Sequence, residues 1–184
     1  MNNEKTRTFI SIEFPDEVIK EVARIQNLIK NKKFTGKITE LENLHLTLKF
    51  LGEINNENLN RVKKLLSEIK LKEFEAKLTE LGTFSYRGAP KIVWIKVGGE
   101  GIFNLQKQID VVLTSLLKPE ERFMSHLTIA RIKYVKDIKD FYNYIENISV
   151  KPIKFSVKSF KLKYSELKPL GPVYKTIKEF KAIN

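Results

Sequence analysis

The chain predicts an α+β fold in which helices back largely antiparallel sheets, arranged as two similar lobes around a cleft. Two observations carry this. Strand-like and helix-like segments follow one another as strand, helix, strand, helix, strands, helix, strand, helix, strands. A short motif, H-L-T followed by an aliphatic residue, occurs at His45 and again 81 residues later at His126. No Pro- or Ser-rich linker separates the halves, so residues 1–184 read as a single cooperative domain with one motif per lobe, at 45–48 and 126–129.

Thr6 to Phe14 alternates as a half-buried strand. Pro15 and Asp16 open a helix whose apolar positions, Val18, Val22, Ile25 and Ile29, recur at helical spacing to about Lys32. Gly36 interrupts it, a short strand is expected at Lys37 to Thr39, and the first histidine strand runs from Leu44 to Leu51, ended by Gly52. Asn55 or Asn56 caps the next helix, striped by Leu59, Val62, Leu65, Leu66 and Ile69. Phe74 to Tyr86 is a strand kinked at Gly82, turning at Arg87 to Pro90 into Lys91 to Val97. Gly98, Gly99 and Gly101 lack the phosphate-loop pattern and read as the start of a helix from Ile102 to Leu117. The second histidine strand, Ser125 to Arg131, a helix from Lys136 to Asn147, and strands at Ile153 to Glu166 and Pro172 to Phe180 around a turn at Lys168 to Gly171 complete the chain.

Composition narrows the chemistry. There are 34 Lys and Arg against 22 Asp and Glu, a net charge of +12, which favours polyanionic partners, nucleic acid first. A lysine-rich composition bias gives the same charge without any such partner. Without cysteine there is no disulfide, thiolate metal site or cysteine nucleophile. The start, M-N-N-E-K-T-R, lacks a secretory apolar core, and no apolar run reaches the roughly 20 residues of a membrane span, so a cytoplasmic location without membrane contact is expected. Nothing in the sequence points to an obligate protein partner.

The two histidines are the whole imidazole inventory. In a strand, residues i and i+2 share a face, so His45 with Thr47, and His126 with Thr128, form polar pairs while Leu46, Leu48, Leu127 and Ile129 face the core. One such copy would be ordinary strand composition; two copies holding every histidine are not. A metal would need further ligands, and neither an H-x-x-x-H spacing nor an acidic triad is near, so no metal or other cofactor is expected. Two imidazoles facing one cleft suit general acid and base chemistry, and phosphodiester transfer at a ribose fits: one takes a proton from the attacking oxygen while the other gives one to the leaving oxygen. Threonine hydroxyls and a nearby cation would hold the phosphoryl oxygens. Lys49 has the strand parity of the histidine and is expected to be such a cation.

The motifs resemble the signature pair of the two-histidine (2H) phosphoesterase superfamily. R-T-F-I-S-I, E-N-L-H-L-T-L-K-F-L-G-E, H-L-T-I-A-R and S-E-L-K-P-L-G-P-V-Y together resemble the bacterial and archaeal RNA 2′,3′-cyclic phosphodiesterase branch, first known as 2′-5′ RNA ligases. The resemblance spans nearly the whole chain. It implies a bilobal, pseudo-two-fold fold with both motifs lining a central groove, and opening of a terminal 2′,3′-cyclic phosphate to a 2′-phosphomonoester, with reversible 2′-5′ ligation alongside. The implied partners are RNA ends, cyclic-phosphate or 2′-5′ linked, tRNA-derived ends among them. By the same resemblance His45 is the general acid, His126 the base, Thr47 and Thr128 hold the phosphate, and the family's arginine falls on Arg131. In a regular strand Arg131 has the opposite parity to His126 and reaches the cleft only if the strand bends. Ser125 stands where the family often has proline. Trp94 and Tyr86 are candidates for stacking on a base, with Trp94 also suited to packing within its strand, and Phe50 and Leu51 are expected in the core. The competing reading is a basic RNA-binding module in which the repeat is architectural.

Overall fold

A computed structural model describes residues 5–30, 34–169 and 171–183. The elements are β1 (Thr6–Ile12), α1 (Asp16–Lys30), β2 (Phe34–Ile38), β3 (Leu46–Ile54), α2 (Asn56–Leu66), β4 (Phe74–Tyr86), β5 (Ala89–Gly98), α3 (Glu100–Leu113), β6 (His126–Val135), α4 (Ile138–Glu146), β7 (Lys154–Val157), β8 (Ser159–Lys168) and β9 (Gly171–Lys181). The expected end of the first helix, Lys32, and Leu170 of the expected turn lie outside the described residues. The third helix is shorter than its apolar spacing suggests: α3 stops at Leu113, four residues before the expected Leu117. The strand expected at Ile153 to Glu166 is two, β7 and β8, divided at Lys158.

The nine described strands join one antiparallel sheet in the order β7-β4-β5-β6-β3-β1-β8-β9, with β2 added to β6. The two expected sheets are thus its two halves. They meet along the histidine strands β3 and β6, through the single pair Leu46 and Leu127. That seam runs down the middle of the sheet, and the cleft lies over it.

The helices cover the other face. Val22, Ile25 and Ile29 of α1, Val62 and Leu66 of α2, Leu105 and Ile109 of α3, and Phe141 of α4 form one core with Ile10, Leu46, Leu48, Ile95, Leu127 and Ile129 of the strands. Burial of such side chains contributes about 1.5 to 3 kcal/mol each, enough to hold helices against a sheet. Local signals agree with the ends. Asn55 caps α2 by accepting from the Asn58 amide, and Asp137 caps α4 by accepting from the Asp140 amide. Arg87 and Gly88 both have positive φ, the backbone of a two-residue hairpin turn between β4 and β5. Gly101 packs where a Cβ would lie 2.2 Å from the Phe74 ring, so the glycine run is the packed start of α3.

Candidate active site

Leu46 pairs with Leu127 in antiparallel register. Extending that register one residue each way sets His45 across from Thr128 and Thr47 across from His126. The two motifs interlock as a rectangle, each imidazole facing the other motif's hydroxyl, with the histidines on a diagonal that spans about 7 to 8 Å in regular antiparallel geometry. All four side chains line one cavity of about 450 Å³ on the open face of the sheet.

Both imidazoles are held alike. His45 Nδ1 lies 2.7 Å from the Asn43 carbonyl, and His126 Nδ1 lies 2.8 Å from the Met124 carbonyl. A carbonyl only accepts, so Nδ1 carries the proton in each ring and Nε2 is left for proton exchange. Aromatic neighbours fix the ring planes: Phe9 at 4.8 Å and Tyr174 at 5.0 Å from His45, and Phe84 at 4.9 Å from His126. Burial pushes His45 down to about 4, with the Asn43 carbonyl opposing it, so this ring is neutral at pH 7. Ser125 is buried and its hydroxyl donates to the Val97 carbonyl at 2.7 Å, bracing the start of β6 against β5.

A bulge after each motif decides which later side chains reach the cavity. In β6, Thr128 pairs with Trp94 and Ala130 with Val93, so Ile129 is an extra residue. The extra residue inverts the alternation, Ala130 is buried, and Arg131 returns to the cleft face and lines the cavity. The parity conflict at Arg131 is resolved by this bulge. The same irregularity occurs in β3, where Ser11 pairs with Thr47 and Ile10 with Lys49, leaving Leu48 extra. Its consequence overturns the expectation for Lys49. The lysine is turned into the core, where Nζ lies 2.5 Å from Asp110 Oδ1 and donates to the Lys118 carbonyl at 2.8 Å. Phe50, expected in the core, is instead 66% exposed and lines the cavity at the position that matches Arg131.

Each bulge is braced from the opposite half of the chain. Gln26 of α1 donates to the carbonyls of Thr39 (2.8 Å) and Ile129 (3.0 Å), fixing the bulged residue of β6. On the other side Asp110 of α3 holds Lys49 beside the bulge of β3, while accepting from Gln106 and the Glu120 amide. Burial pushes the Asp110 carboxyl up, but these donors hold it below its usual value.

Neither aromatic expected to stack on a base lines the cavity. Trp94 is 9% exposed, its ring lying over Gly82, where a Cβ would come within 2.4 Å. Tyr86 stands at the hairpin tip with the Arg87 guanidinium 5.2 Å from its ring centroid. The cavity aromatics are Phe9, Phe50 and Tyr174, and its cations are Arg7, Lys37 and Arg131. Sequence reasoning misses Arg7 and Tyr174 although both lie in the family-like segments R-T-F-I-S-I and G-P-V-Y, because strand alternation gives them no distinguishing mark. Among the described residues there is no group of three or more His, Cys, Asp or Glu placed to hold a metal, and no helix long and apolar enough to cross a membrane.

Comparison with known proteins places the chain in a family. The RNA 2′,3′-cyclic phosphodiesterase of Methanocaldococcus jannaschii is 35% identical over 176 residues, covering 95% of this chain and 99% of that protein. The protein of the same name from Archaeoglobus fulgidus is 33% identical over 181 residues, with 95% and 99% coverage. A crystal structure from Thermus thermophilus superposes with a TM-score of 0.78 at 29% identity, covering 95% and 97% of the two chains. E. coli LigT in complex with 3′-AMP shares the fold, at TM-score 0.77 and 21% identity over 98% and 99% of the chains. The LigT-like phosphoesterase family model matches residues 12–94 and 96–174, one match for each histidine motif, and the chain belongs to that family.

Proposed function

We infer that this protein is an RNA 2′,3′-cyclic phosphodiesterase that opens a terminal cyclic phosphate by two-histidine acid and base catalysis. The observation that carries the reading is the pair of imidazoles, each with Nδ1 tied to the carbonyl two residues before it, sharing one cavity with two threonines and Arg131. Relatives at 35% and 33% identity bear the same activity in their names.

In the proposed reaction His126 Nε2 takes a proton from water as its oxygen bonds to phosphorus. The bond from phosphorus to the 3′ oxygen breaks, and His45 Nε2 gives that oxygen a proton, leaving a 2′-phosphomonoester. Thr47 and Thr128 donate to the non-bridging oxygens, and Arg131 holds their charge. His45 is neutral in the free protein, so its acid role depends on the bound phosphate, whose negative charge raises the pKa of an adjacent imidazole. The depressed pKa favours a second reading in which the roles are exchanged, with His45 the base. A phosphodiester bearing a nitrophenyl leaving group separates the two, since it needs no acid. Replacement of the acid is rescued on that substrate and replacement of the base is not. With a 5′ hydroxyl in place of water, the same proton transfers form the bond from phosphorus to that 5′ oxygen as the bond to the 3′ oxygen breaks, which accounts for 2′-5′ ligation.

The test is product analysis with a cyclic-phosphate oligonucleotide. The reading requires a 2′-phosphomonoester and its loss in His45→Ala and in His126→Ala, each by about 10² to 10⁴-fold. Full hydrolysis by either variant refutes it. Binding of ordinary RNA without turnover by the unaltered protein would instead establish a basic RNA-binding module.

A further inference from the structure

The cations of the cavity are unevenly placed. Arg131 sits beyond Thr128 on β6 and belongs with the reacting phosphate. Lys37 is its cross-strand partner on β2, and its ammonium is 2.6 Å from Glu40. Arg7 stands on β1, two residues before the Phe9 ring that lies 4.8 Å from His45, and shares the surroundings of Tyr174 with Arg131 and Lys37. Two strand residues span about 7 Å, within reach of the reacting centre yet one step removed from it. Its guanidinium is exposed, and among the described residues it makes no ion pair or hydrogen bond, even with its cross-strand neighbour Glu53. The opposite wall, beyond His126, is apolar: Ile92 lines the cavity, and Phe84 packs between Trp94 and the imidazole. A polyanion leaving the cavity therefore finds positive charge over β1 and an apolar wall over β5.

We propose that Arg7 forms a second phosphate subsite, holding the phosphodiester on the 5′ side of the terminal nucleotide, so that the enzyme acts on the end of an oligonucleotide in preference to a free nucleoside cyclic phosphate. This rests on the cyclic phosphodiesterase reading above. An unpaired guanidinium presents a planar fork that matches phosphate oxygens in a bidentate fashion, which a hydroxyl or a paired lysine does not. A lone nucleoside 2′,3′-cyclic phosphate has no phosphate to place there.

The experiment compares kcat/KM for a dinucleotide ending in a 2′,3′-cyclic phosphate with that for a nucleoside 2′,3′-cyclic phosphate lacking a 5′ phosphate. The unaltered protein should favour the dinucleotide, and Arg7→Ala should reduce that preference about tenfold or more, chiefly through KM. The salt dependence of log KM for the dinucleotide should also become shallower by about 0.7, one single-strand phosphate contact. Arg7→Lys should restore part of the preference, and Lys20→Ala, which removes a charge from the outer helix α1, should leave it intact. An equal loss on both substrates in Arg7→Ala, or no loss on either, overturns the subsite while leaving the phosphodiesterase reading in place. Failure of the unaltered protein to open either substrate overturns that reading and the subsite together.

Discussion

Replacing Asp110 by alanine should destabilise the protein by about 3 to 5 kcal/mol, although the residue lies on the far side of the sheet from the cavity. The carboxylate holds three donors: Lys49 Nζ at 2.5 Å, Gln106 Nε2 at 2.7 Å and the Glu120 amide at 2.9 Å. The Lys49 and Asp110 side chains are only 3% and 10% exposed, so water does not replace the lost acceptor. Asp110→Ala strands an ammonium with the Lys118 carbonyl as its remaining partner. For a chain of this length the loss corresponds to a fall in Tm of very roughly 6 to 20 °C. Replacing both charges, Lys49→Met with Asp110→Leu, should recover the part due to the stranded ammonium, because a buried ion pair repays little beyond its own desolvation, while Gln106 and the Glu120 amide stay without their acceptor. Denaturant titration of Lys49→Met, Asp110→Leu and the double variant closes the cycle, with stability read from the midpoint at constant m. A loss below about 1 kcal/mol in Asp110→Ala, or a double variant no better than the single one, would refute the reasoning. The folded double variant also tests the reassignment of Lys49: its KM should stay near that of the unaltered protein, whereas a phosphate contact would raise it.

Other outcomes follow from the same geometry. Arg131→Ala should raise KM and lower kcat/KM by about 1.5 to 3 kcal/mol of lost charge-assisted contact, measured by steady-state hydrolysis. Gln26→Leu should reduce stability by about 1 to 3 kcal/mol through the unsatisfied Ile129 and Thr39 carbonyls, and should shift KM in the direction of Arg131→Ala, since it frees the bulge that aims the arginine. Phe50→Ala should leave the melting temperature nearly unchanged and weaken binding of an oligonucleotide end by about 1 to 3 kcal/mol if the exposed ring stacks on a base; an unchanged Kd would remove that role. His45 has a folded pKa of about 4 against an ordinary 6.5, so the unfolded chain takes up its proton first. Its contribution, roughly 3 kcal/mol at most, is complete above pH 6.5 and lost as pH falls to 4. His45→Gln should flatten that part of a stability profile measured by chemical denaturation.

The parts legible in the sequence are those governed by local rules. Alternation and helical spacing locate the helices and the histidine strands, and the i, i+2 relation places His45, Thr47, His126 and Thr128 on one face. Beyond Thr47 and Thr128 the same rule fails in both strands, and it fails for the same reason. A bulge depends on what the neighbouring strand and helix offer, so in the sequence Arg131 looks misdirected, Lys49 looks available, and Phe50 looks buried. The continuation of β3 through Gly52 to Ile54 is hidden likewise, because a glycine at φ 73 reads as a stop in sequence but here serves as a bend within the strand. Arg7 and Tyr174 come from strands far apart in the chain, and only the order of strands in the sheet brings them to the His45 side.

The bracing of each bulge by a helix from the other half has a consequence for how such an enzyme can vary. Gln26 precedes the first histidine yet governs the strand of the second, and Asp110 does the reverse, so neither half holds a complete set of instructions for its own reactive strand. A fragment carrying one motif would lack the side chain that seats it. Substitutions behind one histidine are therefore felt first at the opposite one, and the two halves are bound to drift, or be engineered, as a pair.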